Sequence, residues 1–235
     1  ALLSASDDFD YFGYMKKMIL GNLNEDIIYR NLGLTLMSPD YEVIDHISDV
    51  CRNFGLPYNI IDPQNSTSIG LNPFVYDNPT KIAVTISSAL KAMYQNTHSD
   101  REDVALQAIE NVSILLKEMY PRMNEGALPN MEDMLKMFTN FDLVEKMCKI
   151  LEHDEELAEQ YSIQLAYFKK HFYKDGSARH DTEKYIYSAV TQLDNLLRLP
   201  GVKSILCNRY QNLDFDKMLS EGNITFVCTR RGDLG

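Results

Sequence analysis

Leu34-Thr35-Leu36-Met37, the face Val43, Ile44, Ile47, Val50, Cys51 and Phe54, and Tyr58-Asn59-Ile60-Ile61 decide how this chain is built. The first run is short and apolar and stops at Ser38-Pro39. The six residues after it share one side of a helix, which Gly55 is placed to end. The second apolar run ends at Asp62-Pro63. Strand, helix and strand joined by connections this tight predict a parallel βαβ unit. Upstream, Met15, Met18, Ile19, Leu23 and Ile27 have helical spacing over residues 14–29, with Gly21-Asn22 weakening the middle.

Beyond a polar loop that contains Leu71-Asn72-Pro73-Phe74, strand signals vanish for more than a hundred residues. Pro79 stands at a first-turn position, and Ile82, Ile86, Ala89, Leu90 and Met93 form a stripe. Ser99-Asp100-Arg101-Glu102 reads as a capping box for a helix striped by Ala105, Ile109, Val112, Leu116 and Met119. Pro121 and Gly126 are expected to break the chain, and Asn130 and Asp142 to cap shorter helices. Leu157, Tyr161, Leu165, Phe168 and Phe172 predict one long helix ending near Gly176. Tyr185, Ala189, Leu193, Leu196 and Leu197 predict another, stopped by Pro200-Gly201. Each stripe needs a partner, so these helices are expected to form one bundle. A short helix at 216–220 and the strand Ile224-Thr225-Phe226-Val227-Cys228 then return the chain to the first sheet. The expected fold is α/β, a partial parallel sheet with a large all-helical insertion. Its expected divisions are residues 1–77, 78–200 and 201–235.

A formal charge of -11 excludes a phosphate-tracking surface, which needs concentrated Lys and Arg. The acidic surface instead suits a basic protein partner. No apolar run approaches the roughly 20 residues needed to span a bilayer. Cys51, Cys148, Cys207 and Cys228 stand far apart, the pattern of reduced thiols in a cytoplasmic protein. None of the 11 glycines is followed by lysine, so no phosphate-binding G-x-x-x-x-G-K-[ST] loop is present. The run from Asp8 to Gly13 starts like a calcium loop, but Phe12 and Ile19 fall where ligands are needed. The 5 histidines lack metal spacing, and no Ser or Cys sits in a nucleophile elbow. No catalytic, metal or cofactor set is therefore expected from these residues. The methionines clustered at 119–147 fit either an irregular core, the favoured reading, or an adaptable binding surface. Arg230-Arg231 follow the last strand, at the edge where open parallel sheets bind ligands. They are candidates to meet a phosphate or a neighbouring subunit, and a solvated turn accounts for them equally well.

The order of Ser38-Pro39-Asp40-Tyr41-Glu42, Asp62-Pro63, Leu71-Asn72-Pro73-Phe74 and Asp214-Phe215-Asp216-Lys217-Met218-Leu219-Ser220-Glu221-Gly222 resembles the HerA/FtsK-like motor ATPases. Within them it is most similar to the coupling proteins of type IV secretion and conjugation. The resemblance runs through nearly the whole chain, although each motif is short. Only Pro39 and Glu42 match the family's acidic-Pro-Lys-Gly-acidic motif; Ser38, Asp40 and Tyr41 depart from it. The resemblance implies a RecA-like sheet, and a stretch lying between the two halves of an ATP site. For the whole motor it implies ATP, magnesium, a hexamer and an anchor at the inner face of the plasma membrane. It implies that the helical domain recognises a relaxase, a relaxosome or an accessory protein. Glu42, with Arg230 and Arg231, becomes a candidate nucleotide-side residue. The alternatives are a HerA-like DNA-translocating ATPase unconnected with secretion, and a non-catalytic interaction scaffold.

Overall fold

The computed structural model describes residues 34–65, 68–93, 100–173 and 178–229. The apolar stripe of residues 14–29, the cap at Ser99 and the Arg230-Arg231 pair lie outside them. The chain divides into two compact units, residues 1–69 with 213–235, and residues 70–212.

The first unit holds β1 (Leu34–Ser38), α1 (Tyr41–Asn53), β2 (Tyr58–Ile61), α10 (Phe215–Glu221) and β3 (Ile224–Cys228). All pairing is parallel and the strand order is β1-β3-β2. The two strands of the βαβ unit therefore do not touch; β3 lies between them, setting Leu36 opposite Phe226 and Ile60 opposite the same residue. On one face of the sheet Leu36, Ile60, Phe226 and Cys228 pack with Ile44, Ile47 and Cys51 of α1. Burying each large apolar side chain there contributes about 1.5–3 kcal/mol. Tyr58 adds a tilted ring contact with Phe226, centroids 5.5 Å apart. On the opposite face the buried Thr225 hydroxyl donates to the Met218 sulfur of α10 at 3.3 Å. Met37, on that same face of edge strand β1, is 64% exposed.

The helix ends of this unit follow from local chemistry. The Ser38 hydroxyl accepts from Asp40 N at 3.0 Å, and Asp40 in turn caps α1 by accepting from Glu42 N at 2.9 Å. At the other end Gly55 takes φ 65°, the left-handed conformation that closes a helix most cheaply with glycine. Gly222 does the same for α10 at φ 68° and turns the chain into β3.

The second unit is helical: α2 (Pro79–Met93), α3 (Asp100–Met123), α4 (Met131–Thr139), α5 (Phe141–Leu151), α6 (Glu155–Gln160), α7 (Ser162–His171), α8 (Ala178–Leu197) and α9 (Pro200–Leu206). A 3-10 turn at Pro73–Val75 precedes them. Helix α3 is the central post, packed by α2, α4, α5, α7 and α8. Its buried stripe, Ala105, Ile109, Val112, Leu116 and Met119, matches the periodicity read from the sequence. Phe141, Phe168 and Phe172 stack behind it, with Phe141 and Phe172 centroids 4.4 Å apart. Met119, Met131, Met134, Met137 and Met147 are all buried in this core, so they fill space rather than offer a binding surface.

Three local expectations are corrected. Pro121 does not break α3; it sits in the last turn, and its carbonyl then accepts from Gly126 N at 2.8 Å to close the chain. Asn140, not Asp142, occupies the cap position of α5, while Asp142 adds negative charge to its first turn. The long helix through 157–172 is two, α6 and α7, parted at Tyr161, whose hydroxyl reaches Glu118 at 3.1 Å. Helix α8 ends at Leu197, short of Pro200-Gly201 as expected, with Leu199 extended before the proline. Pro200 is also the first residue of α9, where its fixed φ and missing N–H suit a helix start. The helical unit runs over Gly70–Asn212, which takes in residues 70–77 and 201–212, α9 among them, beyond the expected 78–200. Asn130 does cap α4, in a reciprocal capping box with Asp133.

Candidate functional site

Parallel strands end together, and the ends of β1, β3 and β2 form the one edge of this sheet where a ligand crevice is expected. Ser38 lies opposite Cys228, and Ile61 opposite Val227. The residues that finish the strands are Ser38, Asp62 and Thr229. Thr229 N donates to Ser38 O at 2.9 Å, which extends the β1–β3 ladder by one step. Asp62 is buried, accepts from Gln64 N at 3.0 Å, and donates its own N–H to the Ser68 hydroxyl at 2.9 Å. Asp62-Pro63 thus folds the loop after β2 back on itself, and Ile69 N reaches Ile60 O at 3.1 Å.

Glu42 lies four residues past Ser38, exposed on the first turn of α1. Its N–H is used by Asp40, while Asp45 and Asp49 further along the helix pair with Arg52 at 3.9 and 2.7 Å. Asp40, Glu42 and Asp62, with the hydroxyls of Ser38 and Thr229, make the described part of this edge acidic and acceptor-rich. Such a set suits a cation, an amine or a hydroxyl donor; a phosphate would depend on positive charge from residues following Thr229. Among the described residues no group of three His, Cys, Asp or Glu side chains could hold a metal ion. Of the sequence candidates, the structure places Glu42 beside the strand ends and describes neither arginine. Reading the residue that follows each apolar run would have singled out Ser38, Asp62 and Thr229 as well.

The helical unit presents a different surface. Asp154, Glu155, Glu156 and Glu159 are all exposed on and before α6. Ile163, the second residue of α7, is 78% exposed. An open groove of about 590 Å³ runs along α5, lined by Asp142, Glu145, Lys146, Lys149, Ile150 and His153. Its Lys149 and Glu145 satisfy each other at 2.6 Å. No family model matches this sequence, and no curated protein matches it. No helix among the described residues is long and apolar enough to cross a membrane.

The thiols differ enough to be told apart. Burial pushes the Cys148 thiol up to about 12, with the Glu152 carboxylate adding to the effect. Burial also raises Cys51 and Cys207, although Cys207 is only half-buried. Thiolate is the reactive form, so a raised value and a closed environment both slow alkylation. At pH 7.5 a disulfide reagent is expected to label Cys207 first and Cys148 only as the helical unit opens. Mass mapping of the labelled peptides checks the order; Cys148 modified as fast as Cys207 would mean that the α5–α7 packing is not closed.

Proposed function

We propose that this chain is the middle of a HerA/FtsK-like transfer motor, nearest to the coupling ATPases of type IV secretion and conjugation. Its sheet is part of a RecA-like domain, and its helical unit recognises the relaxosome or a protein substrate. One observation carries the reading: an all-parallel sheet is interrupted between β2 and β3 by an all-helical unit. The interruption begins after Asp62-Pro63, contains Asn72-Pro73-Phe74, and ends before the Asp214–Gly222 stretch that leads into β3. That is the order of parts the resemblance implies. ATP, magnesium and a hexameric ring belong to the whole motor, which works at the cytoplasmic face of the membrane. The share of this chain in it is partner capture, for which the acidic α6 region offers a contact to a basic protein.

The direct test is titration of the chain with the relaxase and accessory proteins of a conjugation or secretion system. Binding with a Kd of about 1 μM or tighter is expected, weakening as salt rises. The triple variant Glu155→Lys, Glu156→Lys, Glu159→Lys changes only exposed side chains and is expected to weaken binding at least about tenfold. The chain by itself is expected to turn over no ATP. Failure to bind any relaxosome protein or secretion substrate at about 100 μM would end the recognition reading.

A further inference from the structure

We infer that the helical unit is closed by a locked neck, which makes it move as one rigid body. The chain enters the unit at Gly70–Asn72 and leaves it at Asn208–Asn212, and these two segments are zipped together. Gly70 N donates to Gln211 O at 2.7 Å, Leu71 N to Ile205 O at 2.9 Å, and Asn72 N to the Asn212 side-chain oxygen at 2.9 Å. Gly70 and Asn212 also form a parallel bridge. The exit segment is held in shape from within, because the Asn208 side chain accepts from both Tyr210 N and Gln211 N.

The zipped segments are in turn fastened to the corner between α3 and α4. The Asn72 amide donates to Pro129 O at 2.7 Å and to Asn208 O at 3.1 Å; the Asn130 amide donates to Cys207 O at 3.0 Å. Arg209 donates to Leu128 O and pairs with the buried Asp133 at 2.6 Å, and its guanidinium lies 5.1 Å from the Tyr120 ring centroid. The fit at the centre leaves no room: a Cβ on Gly70 would lie 2.4 Å from Asn208 Cβ and 2.5 Å from Asn212 Oδ1. Gly70 and Asn72 are buried and the Asn72 bond to Pro129 O is closed from water, while the exit segment is half-buried to exposed. The bonds centred on Asn72 part together, because breaking them singly leaves desolvated groups behind. The neck therefore opens only when the α3–α4 corner does. Any bending that accompanies the work of this chain falls outside Gly70–Asn212, and a partner held by the helical unit is carried as one body. This holds whatever that partner is.

Hydrogen exchange on the full chain tests it. The amides of Gly70, Leu71 and Asn72 are expected to exchange together with those of Leu115, Leu116 and Met119 in α3, and to respond to low urea with the same slope. Neck amides exchanging more than about tenfold faster than the α3 amides would overturn the inference, since the neck would then open alone. Gly70→Ala is the companion variant. It is expected to speed exchange at Leu71 and Asn72 at least about tenfold while the α3 amides keep their protection. Neck protection unchanged in Gly70→Ala would also overturn it. Should that variant not fold, the wild-type comparison decides.

Discussion

Asn72→Ala is expected to lower the stability of the helical unit by about 3 kcal/mol. Asn72 is buried to 1% exposure, and its side chain serves three backbone groups: Phe74 N, Pro129 O and Asn208 O. Asn208 O keeps a second donor, the Asn212 amide at 2.9 Å, so it remains satisfied in the variant. Phe74 N and Pro129 O lose the partner recorded for them, and each desolvated orphan costs about 1–3 kcal/mol. The change also removes the cap of the 3-10 turn that delivers Phe74, fully buried, into the bundle core. Urea denaturation followed by circular dichroism at 222 nm reads the helical unit directly. A loss under about 1 kcal/mol would show that water replaces the amide freely and that the site is less closed than its burial implies.

The second large effect is at Asp133. Its carboxylate, 5% exposed, accepts from Asn130 N at 3.1 Å and from Arg209 at 2.6 Å, with Lys136 at 3.3 Å on the other oxygen. Asp133→Ala breaks the capping box of α4 and leaves Arg209 half-buried without its counter-charge. Removing one partner of a buried pair costs about 3–5 kcal/mol, and the partial exposure of Arg209 puts the expected loss near the lower figure. Lys136 contributes less to this than Arg209, because its own side chain is 57% exposed and solvent screens the ammonium. The double variant Asp133→Ala, Arg209→Ala is expected to lose less than the sum of the two singles by about 1–2 kcal/mol. Strict additivity would mean that the two side chains do not act on each other.

The sequence made some of this architecture legible and hid the rest, for physical reasons that can be named. Periodicity located β1, α1, β2 and β3 because each has one strongly apolar face or run with a Gly, Pro or Asp near one boundary. It also separated the all-helical stretch, whose stripes at Ala105–Met119 and Leu157–Phe172 face the same core. Periodicity does not see a bend that preserves the facing of side chains, which is why the parting of α6 from α7 at Tyr161 passed unnoticed. Proline was misread at Pro121, because the residue can end a helix, open one, or ride in its last turn. The place of β3 between β1 and β2 was not readable, since strand order depends on tertiary pairing. Nor was the neck: Asn72, Asn130, Asn208 and Asn212 are scattered polar residues in sequence and become a set only when the entry and exit segments meet. At the candidate site, Glu42 came from the resemblance alone. Ser38, Asp62 and Thr229 needed only the rule that ligands gather where parallel strands end.

The position of β3 has a consequence for the order in which the molecule assembles. A ribosome delivers β1, α1 and β2 first, yet those two strands have no hydrogen bonds to exchange with each other. A chain synthesised as far as Asn212 possesses every segment of the helical unit and none of its sheet pairing. The helical unit, rich in neighbours close in sequence, is therefore free to form early, while β1 and β2 wait for the strand that joins them to close a very long loop. During that interval Leu36, Ile60 and the inner face of α1 lack the cover that Phe226 and Cys228 give them. The nascent sheet unit, rather than the larger helical one, is the stage at which this chain is most exposed to aggregation and to chaperones.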